Sequence, residues 1–62
     1  MWSIIYEAEG QVFKVGPFDQ ESEAIGWAKD NDSSDPEIGE FDSRHQRIYL
    51  LGPDHEMIEI LD

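Results

Sequence analysis

The alternation that opens the chain constrains the fold more than any other feature. Trp2, Ile4, Tyr6 and Ala8 interleave with Ser3, Ile5 and Glu7, the period-two pattern of a strand with one buried face. Glu9-Gly10 follows as a tight turn in which glycine takes the left-handed position. Gln11-Val12-Phe13-Lys14-Val15 then returns antiparallel. A two-residue turn sets Tyr6 opposite Phe13 and Ile4 opposite Val15, which aligns one apolar face across the hairpin.

The stretch from Gly16 to Asp30, GPFDQESEAIGWAKD, reads as a helix with its entry signal. Gly16-Pro17 is expected to end the second strand, because proline has no amide to donate to a ladder. Asp19 is placed at the N-cap, and Glu21 and Glu23 put negative charge at the positive end of the helix dipole. Ala24, Ile25, Trp27 and Ala28 fall on one side at helical spacing, with Trp27 the expected anchor on the sheet. Gly26 in the interior costs roughly 1 kcal/mol against alanine, which implies either close packing or a position on the wet side.

Residues 31–44, NDSSDPEIGEFDSR, read as a loop tied down by Ile38 and Phe41, with a short edge strand as an option over 37–42. Gln46 to Leu51 shows little polar alternation and predicts a central strand. Gly52-Pro53-Asp54-His55 is a turn with proline at its second position, and Glu56 to Leu61 closes a second hairpin. The order ββα(β)ββ predicts one small α+β domain over 1–62, a mostly antiparallel sheet with a helix packed on one face.

Charge narrows the function. Fifteen acidic residues stand against four basic ones, a net charge of −11. Residues 19–42 hold nine carboxylates (Asp19, Glu21, Glu23, Asp30, Asp32, Asp35, Glu37, Glu40 and Asp42) against Lys29 alone, so −8 lies in one block. Such a field repels nucleic acid and anionic membranes and draws basic partners. The chain has no cysteine, no apolar run of membrane length, and a strand pattern beginning directly at Trp2. A cytoplasmic protein with no signal peptide is the expectation.

Chemistry-bearing motifs are few. Asp30, Asp32 and Ser34 alternate like the start of an EF-hand loop, but Asp35 stands where its glycine should be and Phe41 where its bidentate glutamate should be. His45 and His55 fall on separate turns at opposite ends of one strand, a weak zinc pattern in a chain without cysteine. No serine lies in a nucleophile elbow and no glycine run cradles phosphate. The expectation is a protein that is not an enzyme and uses no cofactor or metal.

Two resemblances bear on function. Val15-Gly16-Pro17-Phe18 followed by Glu23-Ala24 looks like the strand-to-helix step of the SPOR peptidoglycan-binding domains. The chain departs from that family where a second helix should separate the last two strands, so peptidoglycan binding is not carried over. In size, net charge and acidic clustering from Asp19 to Asp42, the chain resembles the small acidic inhibitors of phages and mobile elements, anti-CRISPR proteins and other DNA mimics. That resemblance implies a non-catalytic protein that occupies the nucleic-acid-binding surface of a basic host protein or complex. The nine carboxylates of the block are the candidate contact residues. The alternatives are an acidic interaction or regulatory domain without mimicry and a weak divalent-cation binder.

Overall fold

The computed structural model describes residues 1–35 and 37–60. β1 (Trp2–Ala8) and β2 (Gln11–Phe18) form a hairpin, α1 (Glu21–Asp30) follows, and β3 (Ile48–Leu51) and β4 (Met57–Ile60) form a second hairpin. All pairings are antiparallel and the sheet order is β2-β1-β3-β4, so the two long-range neighbours β1 and β3 are central. This is the α+β architecture expected, with one helix on one face. Leu61, which the pattern adds to the last strand, lies outside the described residues.

The first hairpin has the expected register: Tyr6 pairs with Phe13 and Ile4 with Val15. Its turn residues Glu9 and Gly10 both have positive φ, 55° and 77°. That is the turn geometry whose twist matches a two-residue hairpin. The second strand does not stop at Gly16-Pro17. It passes through a bulge there, so that Trp2 pairs with Phe18 while Ile4 pairs with Val15. Gly16 has φ 138°, and a Cβ on it would stand 3.1 Å from both the Trp2 carbonyl and the Ser3 Oγ. Pro17 is accommodated because β2 is an edge strand and one side of it needs no donor.

Carrying the strand to Phe18 moves the helix start. Gln20, in extended conformation, occupies the N-cap, and its carbonyl accepts from the amides of Glu23 at 3.2 Å and Ala24 at 3.3 Å. No side chain caps this end, and Asp19 sits one residue too early to do so. At the other end Asn31 closes the helix, its amide and its Nδ2 both donating to the Trp27 carbonyl.

The core lies between the sheet and α1. Ile4, Tyr6, Ile48 and Leu50 point to it from the central strands, and Ala24 and Ala28 meet them with no exposed surface. Two alanines at this contact let the helix backbone come close to the strands. Trp27 packs against this core as the expected anchor on the sheet, partly rather than fully buried, 6.3 Å from the Tyr6 ring, 6.0 Å from Phe41 and 6.4 Å from Phe18. Gly26 is on the wet side, with nothing near a Cβ placed there.

Phe41 ties down the loop as expected, 3 % exposed and 5.1 Å from the Tyr6 ring. Residues 37–42 form no strand; one parallel bridge joins Asp32 to Phe41. Ile38 is 70 % exposed and anchors nothing. It rides on a turn in which its own amide and that of Gly39 both donate to the Asp35 carbonyl, which lifts its side chain off the core.

Two substitutions test this packing by chemical denaturation. Phe41→Ala should cost about 3–5 kcal/mol, a large share of the stability of so small a domain, whereas Ile38→Ala should change it by less than about 0.5 kcal/mol. Gly26→Ala should raise stability by about 0.5–1 kcal/mol, because helix propensity improves and no neighbour has to move.

Candidate interaction surface

The acidic loop is built by its own carboxylates. Asp32 accepts from the Ser43 amide at 2.9 Å and, through its other oxygen, from the Ser43 Oγ at 2.8 Å. With Ser33 N donating to the Phe41 carbonyl and Phe41 N to that of Asn31, these bonds close the two ends of the loop on each other. Gly39 passes so close to the Asn31 carbonyl that a Cβ would collide with it. Within the loop, Ser33 Oγ accepts from the Asp35 amide at 3.1 Å, and Asp35 Oδ1 accepts from the Glu37 amide at 2.9 Å. These are the local turns that short polar side chains make with the backbone two residues on.

Asp42 organises the exit. Its Oδ2 accepts from His45 Nδ1 at 2.9 Å, and its Oδ1 accepts from the Arg44 amide at 3.0 Å and from Arg44 Nε at 3.3 Å. Its own amide donates to Gln46 Oε1 at 2.8 Å. The His45 ring and then the Arg44 amide lower the Asp42 carboxyl from the ordinary 3.8 to about 2, with partial desolvation opposing them.

The nine candidate carboxylates thus separate into groups with different work. Asp32, Asp35 and Asp42 hold the loop together. Glu21 and Glu23 sit in the first helical turn, where the dipole favours them. The side-chain carboxylates of Asp19, Asp30, Glu37 and Glu40 are exposed and make no hydrogen bond or ion pair with another described residue. Asp30 also lies at the C-terminal end of α1, where the dipole disfavours negative charge. Glu40 stands near Tyr6; the Tyr6 hydroxyl is pushed up by burial first and by the Glu40 charge second.

The helix does not gather its acids into one stripe. Glu21 and Glu23 are about 200° apart around the axis, whereas Glu23 and Asp30 share a flank two turns, or about 10 Å, apart. The surface is therefore an acidic cap over the helix side, with the loop acids continuing from the helix end. Sequence reading located the charge. It missed the division of labour, although Ser33-x-Asp35-x-Glu37 and Asp42-x-Arg44 are spaced for such turns.

No three His, Asp or Glu among the described residues converge as metal ligands, and no helix among them is long and apolar enough to cross a membrane. Family models, curated proteins and solved structures yield no match to the chain.

The depressed Asp42 carboxyl makes its contacts a stabilising contribution present above pH 4 and lost as pH falls toward about 2. A carboxyl-detected NMR titration should give an Asp42 midpoint about 2, moving back toward 3.8 in His45→Ala; a midpoint near 4 in the parent chain means these contacts do not form. Millimolar calcium should raise the melting temperature only slightly and no more than magnesium, since Asp32 and Asp35 are engaged by the backbone and Ser43. A stoichiometric calcium isotherm lost in Asp32→Asn is the contrary result.

Proposed function

We propose that this protein is a non-catalytic acidic binding protein whose helix-and-loop surface occupies the basic, nucleic-acid-binding surface of a partner protein or complex. The observation that carries this reading is the set Asp19, Asp30, Glu37 and Glu40. These carboxylates are exposed and unpaired among the described residues, Asp19 before the helix, Asp30 at its end, and Glu37 and Glu40 on a loop that other carboxylates hold in place.

Eight net negative charges within residues 19–42 repel one another and oppose the compact state. Solubility alone is served as well by charges spread over the surface. A fixed acidic cap instead resembles a phosphate backbone to a protein that displays Lys and Arg at intervals matched to a duplex. Preordering of the loop means that little chain entropy is lost when a partner binds. Association is fast, steered by the field, and weakens as salt screens it.

The test is capture of a basic nucleic-acid-handling protein at low salt, followed by affinity measurements with the purified partner. Reversing Asp30, Glu37 and Glu40 to lysine should weaken the complex by about tenfold or more, while reversing Glu9, Asp54 and Glu56 should change it by less than about threefold. Short duplex DNA should compete with this protein for the partner and should not itself bind this protein. If the partner is retained while DNA does not compete, the acidic surface serves recognition without mimicry. Equal binding by both triple variants contradicts the assignment of the surface.

A further inference from the structure

The sheet has a second face, and no helix or further strand among the described residues packs on it. Ile5, Tyr49, Leu51, Val12 and Met57 alternate with the core residues along their strands and therefore point away from α1. Val12 is 69 % exposed and Met57 55 %. They stand at the rim of a hollow of about 700 Å³ whose walls include Ile5, Glu7, Arg47 and Tyr49.

We propose that this face docks a second copy of the chain, sheet against sheet. Charge is the first argument. Cross-strand pairing puts Glu7 beside Val12, Lys14 beside Ile5 and Glu59 beside Tyr49, with Arg47 bordering the same hollow. With Glu9, which also lines the hollow, three acids stand against two bases, so this face is close to neutral in a chain of net charge −11. A strongly charged partner of either sign finds no complement on it. A second copy does: a two-fold axis through the face lets Lys14 and Arg47 of one copy approach Glu7 and Glu59 of the other. Both acidic caps, on the helix side, then point outward and away from each other.

Shape is the second argument. Exposed apolar knobs and a hollow on one patch are the ingredients of a self-complementary contact, because the two-fold presents the knobs of each copy to the hollow of the other. Extent sets the affinity class. Four strands at about 4.8 Å spacing and about five residues of 3.3 Å make a platform of roughly 300 Å² in projection. That is well below the ~800 Å² per partner of a standard interface, so the dimer is weak and depends on concentration.

This inference does not rest on the proposed function, and the two respond to salt with opposite sign. Sedimentation velocity from micromolar to millimolar concentration should show monomer giving way to dimer, with the dimer strengthened by salt as repulsion between two chains of −11 is screened. The double variant Val12→Asp/Met57→Glu should remain folded by circular dichroism, since both positions are exposed, and should dissociate at least about thirtyfold more readily. Reversal of Asp30, Glu37 and Glu40 should leave the dimer intact. A monomer at every concentration in high salt overturns the proposal, as does a dimer that survives Val12→Asp/Met57→Glu. A monomer that captures a different protein, and loses it in that double variant, assigns the face to another partner and overturns self-association equally.

Discussion

The structure depends on the ring of Tyr6. It projects from a central strand and meets Phe13 of the edge strand at 5.2 Å, Trp27 of the helix at 6.3 Å and Phe41 of the loop at 5.1 Å. The edge strand, the helix and the loop therefore converge on one side chain of β1. A chain of this length has little apolar surface to bury, and aromatic rings supply the most per residue. The helix itself gives only two alanines to the fully buried core, so its position is fixed by close approach in the middle and by rings at the rim.

That arrangement explains how a chain with so much negative charge keeps an ordered acidic loop. Phe41 supplies the apolar attachment, and Asp32, Asp35 and Asp42 supply acceptors for amides that would otherwise face water. The same residue type that creates the repulsion thus also provides the local order. Once those three and the dipole-compatible Glu21 and Glu23 are accounted for, four carboxylates remain for which the fold has no use, and the proposed function rests on them.

The strand pattern was legible because period-two alternation has one solution once the turn length is known; Ile4, Tyr6, Phe13 and Val15 could align in no other way. Gly16-Pro17 misled because proline reads as a stop, whereas an edge strand can absorb it in a bulge. The helix cap moved for the same reason. Ile38 illustrates a different limit, since size and apolarity say what a residue prefers but not whether the backbone turns it inward. The acidic block was visible as charge alone. Which carboxylates face water and which accept an amide depends on loop closure by Phe41, and no local pattern contains that. The open sheet face, too, follows from the order β2-β1-β3-β4 and from a single helix lying over β1 and β2, not from any one strand's composition.

The separation of a −8 helix-and-loop side from a nearly neutral sheet face also gives the monomer a permanent electric dipole. Such a molecule does not tumble indifferently as it nears a basic surface. The field turns it acid side first before contact, so most of the orientational search is completed during diffusion. A face-to-face pair related by a two-fold opposes the two dipole components normal to the sheet and cancels them. Self-association would then convert a ligand that arrives already oriented into one that arrives by chance, with the same carboxylates exposed and the same total charge per chain.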